Sequence, residues 1–315
     1  MKNLLRFVSF FIIGMVVFAV LVVIIPDQYE EIYQRSIVNQ YEYLKSIDGN
    51  KVIFIGNSSL MFGLDLDEMD KLLADKNKKS VLLGGHVSYG LQYFIEMSKS
   101  NIRAGDVVVI EFPGPIDLNN FNPDLLLTGI GKKYEMYKYF PKDKLKIVAS
   151  RYPKYIKDNL NYFLGGGYHS GGPYSMEAMD YRGSMVIDRG DCEIPTPYEY
   201  ATSIDEQYQW FSIEGFTPDK KFVDYLNSYT EYCRSIGVNV LFTVPVYLDE
   251  AVVSSSDGMD EYDESWANAL TGEYVSHQRD YVFTREYIFN QSAHLNSRGA
   301  VLRTDMLYED IKNYL

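Results

Sequence analysis

The sequence predicts an α/β domain built on a parallel sheet and preceded by one transmembrane helix. Two observations carry that reading. Short apolar runs rich in β-branched residues, at 52–55, 80–83, 106–111 and 238–244, alternate with segments of helical periodicity. Runs without polar alternation suit strands covered on both faces, and strand–helix alternation points to right-handed βαβ units in a parallel sheet. The second observation is a run at 7–25 that carries no charge. At about 1.5 Å per residue it nearly matches the hydrocarbon thickness of a bilayer.

Lys2 and Arg6 precede that run, while Asp27, Glu30 and Glu31 follow it. The excess of Lys and Arg keeps the amino terminus cytoplasmic and places the main domain outside, as a single-pass membrane protein. No small-x-small cleavage site follows, only Ile24-Ile25-Pro26-Asp27, so residues 1–26 read as an uncleaved anchor. Residues 27–49 are polar with scattered Tyr, Ile, Val and Leu, which suits a helical stalk or a first helix packed on the domain. The domain itself spans 50–315.

Within it, helices are expected near 65–74 and 91–100, between the first three strands. From 113 to 216 the rhythm breaks. Helical stretches near 125–139 and 142–163 lead into Gly165-Gly166-Gly167 and a segment rich in Gly, Tyr and Pro. This reads as an insertion bordering the site, or as a surface loop, because long irregular segments in compact domains are usually functional or disordered. Thr217-Pro218-Asp219 resembles a helix start with a capping hydroxyl and Pro at the first helical position. That helix runs to about Ile236, and Pro245 closes the strand that follows, since proline cannot donate to a ladder. A helix near 259–270, a short strand near 281–283 and a last amphipathic helix to Leu315 complete the chain.

With 315 residues, 46% of them hydrophobic, the chain can bury one large core or two modest ones, and one domain plus an anchor is the simpler organisation. A formal charge of −13 argues against a nucleic-acid partner, which needs a basic surface to neutralise phosphates. The 28 Tyr and 17 Phe are mainly packing residues, with exposed rings available as platforms for sugar-like faces. Cys192 and Cys233 allow one disulfide in an oxidising compartment, although Cys233 falls on a helix stripe with Phe222, Leu226, Tyr229 and Ile236, as a small buried side chain would. There is no CxxC, HExxH or His/Cys cluster with ligand spacing, so neither a metal nor another cofactor is expected.

Serine-based acyl transfer needs a hydroxyl, a base to take its proton and donors aimed at the developing oxyanion. The first strand ends in Gly56-Asn57-Ser58-Ser59, at the carboxyl edge of the sheet where ligands bind in open α/β folds. Ser58 is the candidate hydroxyl, with Ser59 as a neighbour able to cap the following helix. Of four histidines, His294 is the candidate base, and His86, His169 and His277 are its rivals. Only His86 lies beside another expected strand end.

Gly56-Asn57-Ser58-Ser59 resembles the first block of the SGNH (GDSL-like) hydrolase superfamily, and His294-Leu295-Asn296 with Gly299 resembles its last. The likeness runs from about residue 50 to the end, with 113–216 as the divergent part. It is closest to membrane-anchored cell-envelope acyl esterases and transferases. The resemblance implies a three-layer flavodoxin-like fold, Ser58 as nucleophile and His294 as base. It also implies an oxyanion hole from the backbone N–H of Ser58 and of Gly85, in the loop Gly84-Gly85-His86-Val87-Ser88. The substrate class would be an acylated cell-envelope polysaccharide. Two positions depart from the pattern. Where the third block usually provides an Asn, this chain has Glu111-Phe112-Pro113-Gly114. Where an Asp usually stands about three residues before the histidine, it has Gln291, with Asn290 just before. Asn290 is an amide that can orient an imidazole without offsetting its charge, and Asp249, Asp280 and Glu286 are the carboxylates left to approach from elsewhere. The alternative implied by these departures is a weak or inactive accessory protein that assists a membrane acyltransferase in glycan assembly.

Overall fold

The computed structural model describes residues 2–112, 121–193 and 212–315. Its centre is a fully parallel five-stranded sheet of β1 (Lys51–Ile55), β2 (Lys79–Leu83), β3 (Val107–Glu111), β4 (Asn239–Thr243) and the two-residue β6 (Glu273–Tyr274), in the order β2-β1-β3-β4-β6. Register follows directly: Phe54 lies between Leu82 and Val109, and Ile110 pairs Phe242. The expected strands at 52–55, 80–83, 106–111 and 238–244 all sit in this sheet. The run at 281–283 does not. Val282 and Phe283 form β7, which pairs in parallel with β5 (Tyr247–Leu248) in a separate two-stranded sheet.

Absence of alternation in the sequence has its cause in the packing. Along β1, Ile53 and Ile55 join one apolar cluster, whereas Val52 and Phe54 join another on the opposite face. Both faces are therefore dry, and every side chain of the strand is apolar apart from Lys51. That lysine is buried with its ammonium 2.7 Å from Asp106, tying the starts of β1 and β3 together.

Ten α-helices are named here among the described residues. After α1 (Lys2–Ile24) come α2 (Ser36–Ser46), α3 (Ser58–Gly63), α4 (Leu66–Leu72), α5 (Leu91–Ser98), α6 (Pro123–Ile130) and α7 (Leu145–Leu164). The last three are α8 (Lys220–Ser235), α9 (Ser256–Ala269) and α10 (Ser297–Ile311). The start of α8 differs from expectation: Asp219 is the cap, accepting from the N–H of Phe222, so Thr217 and Pro218 precede the helix.

The segment 27–49 is packed into the domain. Ile37, Tyr41 and Leu44 of α2 form one buried stripe at helical spacing, and the Gln40 amide clasps Gly84, donating to its carbonyl (2.9 Å) and accepting from its N–H (3.0 Å). A free stalk would leave these groups in water, so burial favours the docked helix. In the insertion, α6 and α7 pack on each other and carry the chain to a Tyr-rich turn, while 113–120 and 194–211 lie outside the described residues.

α1 is one continuous 23-residue helix on which Phe7, Phe10, Phe11 and Met15 are exposed, while Val22 packs against the core. Among the described residues no helix is long and apolar enough to cross a membrane, so the span expected at 7–25 does not follow from the fold itself. Cys192 and Cys233 are both free thiols rather than a pair, and burial pushes the Cys233 thiol up to about 11.

Candidate active site

Ser58 is the first residue of α3, placed there by the turn that ends β1. The helix is capped by Asn57, whose side-chain oxygen accepts from Ser59 N–H at 2.8 Å. Ser59 is therefore not the cap. Its buried hydroxyl accepts from Val246 N–H at 3.3 Å and lies by Glu111, which leaves Ser58, half-buried, as the hydroxyl without a hydrogen bond among the described residues.

His294 arrives from the other end of the chain, and its loop is tightly specified. Phe289 N–H donates to the carbonyl of His294 (2.8 Å) and His294 N–H to that of Gln291 (3.0 Å), closing a turn over 290–294. Asn296 then caps α10 by accepting from Gly299 N–H (3.0 Å) and donates to the carbonyl of Glu286 (2.7 Å). A Cβ on Gly299 would fall 2.4 Å from the Tyr287 carbonyl oxygen, so only glycine fits. The His-Leu-Asn-x-x-Gly run is in physical terms a bracket holding one imidazole.

Ser58 and His294 line the same cavity, with a volume of about 520 Å³. Its wall also includes Asn57, His86, Tyr33, Tyr168, Tyr174 and Tyr247. The size falls in the range that accommodates small ligands, and tyrosines combine apolar faces with hydroxyl tips. Tyr168, Ser170 and Tyr174, from the segment 113–216, contribute to this wall.

Behind the imidazole, Asn290 Oδ1 lies 3.1 Å from His294 Nδ1, and Asn290 Nδ2 donates to the Tyr174 hydroxyl at 2.7 Å. Because the amide NH₂ faces the phenol, its oxygen faces the ring. An amide oxygen only accepts, so Nδ1 carries the proton and Nε2 keeps a free lone pair. Gln291, at the position where the resemblance expects an acid, instead lines the cavity. Of the candidate carboxylates, Asp249 accepts from Glu250 N–H and Glu286 from the Thr284 hydroxyl. Among the described residues none of Asp249, Asp280 and Glu286 bears on His294.

The electrostatics match that geometry. His294 is buried, Phe62 stacks on its ring at 4.1 Å, and Arg189 lies over the Phe62 ring at 5.7 Å. Burial first, then the positive charge of Arg189 and the proximity of His86, push His294 down to about 3. The imidazole is neutral at pH 7, as a base must be, and its protonated form is poorly supported. Arg189 itself is held by the carbonyls of Leu295 and Phe62, each at 3.0 Å.

Comparison of the chain with known protein families and with curated proteins finds no match.

The geometry of the site brings together Ser58, His294 and Asn290. Gly85 is buried against the rings of Tyr89 and Phe94 and is not among the residues lining the cavity. Three contributors had no sequence assignment to the site, Phe62, Tyr174 and Arg189, whereas His86, a rival base in the sequence, stands in the cavity wall. Phe62 lies one helical turn after Ser58, a spacing that could have found it. Tyr174 and Arg189 come from an aperiodic segment that offers no such signal. Among the described residues no group of His, Cys, Asp and Glu is arranged to hold a metal ion. Beneath the site Glu111 and Arg303 form a buried ion pair, in which desolvation raises the carboxyl against the pull of the guanidinium and of Ser59.

Proposed function

We propose that the protein is a membrane-anchored serine esterase or O-acyltransferase of SGNH type, acting outside the cytoplasm on an acylated cell-envelope polysaccharide. The observation that carries this reading is the single cavity shared by Ser58 and His294, with His294 Nδ1 facing Asn290 Oδ1 so that Nε2 is left to accept a proton. The strand order β2-β1-β3-β4-β6 supports the flavodoxin-like, three-layer form of that fold, with Ser58 at the carboxyl end of β1, next to the switch point. Membrane attachment is supported by the charge-free run at 7–25 and by the exposed apolar side chains of α1.

In the reaction, Ser58 Oγ attacks the acyl carbonyl carbon as its proton passes to His294 Nε2. The tetrahedral intermediate collapses, the C–O bond to the sugar breaks, and the departing oxygen takes the proton back from Nε2. Water or a second sugar hydroxyl then repeats the sequence on acyl-Ser58 and restores the serine. Replacing Ser58 or His294 by Ala in the full-length chain is expected to abolish turnover of a small acyl ester. Equal activity in both variants and the wild type would sink the assignment.

The second reading, an accessory protein with weak or no chemistry that works beside a membrane acyltransferase, is favoured by one observation. Among the described residues no carboxylate supports His294, and Arg189 opposes its protonation. This reading predicts no labelling of Ser58 by a fluorophosphonate, so rapid stoichiometric labelling would count against it.

A further inference from the structure

We infer that His86 donates a side-chain hydrogen bond from Nε2 to the oxyanion formed during acyl transfer, an assignment that rests on the Ser58–His294 reading. His86 Nδ1 is 3.1 Å from the backbone N–H of Ser88. A backbone N–H can only donate, so Nδ1 must present a lone pair, and the neutral ring then carries its proton on Nε2. Burial lowers the pKa of this ring and so favours that neutral form. Among the described residues Nε2 makes no hydrogen bond, although the ring lines the cavity with Ser58 and His294.

The backbone places this donor near the nucleophile. His86 follows Gly84-Gly85 at the end of β2, and a Cβ on Gly84 would lie 3.4 Å from the carbonyl oxygens of both Gly56 and Asn57. The chain that carries His86 therefore abuts the turn that carries Ser58. The ring is anchored as well, because Tyr89 N–H donates to the His86 carbonyl at 2.9 Å and the Tyr89 ring is buried beside it. Glu111 and Phe112, at the end of β3, are buried and absent from the cavity wall, so that strand end presents no side-chain donor there.

The two histidines then have opposite tautomers and complementary work. His294 offers a bare Nε2 that takes the serine proton, and His86 offers an Nε2–H that meets the charge developing on the carbonyl oxygen. A donor fixed before the reaction stabilises that charge without reorganising. Keeping His86 neutral also spares the imidazolium of His294 a second positive charge in the same cavity.

The test uses the full-length chain in detergent, with p-nitrophenyl acetate as substrate and endpoint fluorophosphonate labelling to count competent sites. His86→Ala is expected to lower kcat per labelled site by about 10²- to 10³-fold, with KM changed by less than about threefold. His86→Gln keeps an amide donor and is expected to recover about tenfold or more of that loss, whereas His86→Phe, equally bulky and without a donor, recovers nothing. If His86→Ala and His86→Phe retain wild-type kcat while Ser58→Ala is inactive, the His86 assignment is overturned and the Ser58 reading stands. A loss expressed wholly in KM, or one that Gln does not rescue, also overturns it. Full activity in Ser58→Ala overturns the underlying reading instead.

Discussion

Replacing Asn290 by Asp isolates what the amide leaves out. Its oxygen sits 3.1 Å from His294 Nδ1 and already selects the correct tautomer, so the substitution adds charge with little change in shape. Two unit charges about 4 Å apart interact by about 4 kcal/mol at an effective dielectric constant near 20. That corresponds to about three pKa units at 1.36 kcal/mol each. Starting from about 3, His294 would rise towards about 6, less the cost of burying the new carboxylate. The cost is limited because Tyr174, now an acceptor for Asn290 Nδ2, can turn its hydroxyl to donate to the second oxygen. In serine proteases the reverse change, Asp to Asn, costs on the order of 10⁴-fold, largely through a wrong tautomer. Here the tautomer is already right, and with about half of the basicity change felt at the transition state the gain in kcat is about 10- to 50-fold. The pKa is read from the His294 ring resonances by NMR titration, and kcat from hydrolysis of p-nitrophenyl acetate. An unmoved pKa would refute the Asn290–His294 contact. A raised pKa with unchanged, Ser58-dependent turnover would refute the claim that missing charge limits the chemistry.

Three further outcomes follow from the same contacts. His294 binds its proton near 6.5 when unfolded and only near 3 when folded, so stability is fully present above about 6.5 and falls as pH drops through that window, by about 2 kcal/mol at pH 5; urea melts at pH 7 and 5 should show this loss in the wild type and not in His294→Gln. Glu111→Ala leaves the Arg303 charge buried without its partner and is expected to cost about 3–5 kcal/mol, whereas the double change Glu111→Leu with Arg303→Met should cost less, a comparison made by chemical denaturation. Tyr174→Phe removes the acceptor that orients the Asn290 amide and should lower kcat by about tenfold with little change in KM; in Asn290→Asp, where both oxygens are equivalent, the same change should matter less.

The strands were legible because burial on both faces erases alternation, and the sheet shows that cause in the opposed clusters of Val52 with Phe54 and Ile53 with Ile55. β6 was not, since two residues, Glu273 and Tyr274, carry no pattern of their own and owe their pairing to β4. The Pro218 signal misplaced a helix start because the carboxylate of Asp219 is the better-placed cap. Ser58 and His294 were legible as ends of elements, one after a strand and one before a helix. Their surroundings were not: Tyr174 sits in a segment without period, and it reaches His294 through a hydrogen bond to Asn290, a residue 116 positions away. The opposite tautomers of His86 and His294 rest on local contacts, two and four residues away, but on turn geometry that no periodicity announces. Each depends on which group meets Nδ1, the backbone N–H of Ser88 in one case and the Asn290 oxygen in the other.

On the proposed reading, a base held near 3 has a consequence for what would resolve acyl-Ser58. Water and a sugar hydroxyl must both lose a proton to His294 Nε2, and the weak base slows both. A sugar bound among Tyr33, Tyr168, Tyr174 and Tyr247 has an advantage that bulk water lacks, because well-oriented neighbours react with effective molarities of about 10⁵–10⁸ M. With chemistry slowed, positioning decides the outcome, and transfer to a bound acceptor is expected to exceed hydrolysis. Asn290→Asp, by strengthening the base, should raise both rates and shift the balance towards water. The check is product partition from an acylated oligosaccharide donor in the presence of an unacylated one, analysed by mass spectrometry. Hydrolysis dominating in the wild type at saturating acceptor would refute the inference, and it would do so without disturbing the assignment of Ser58.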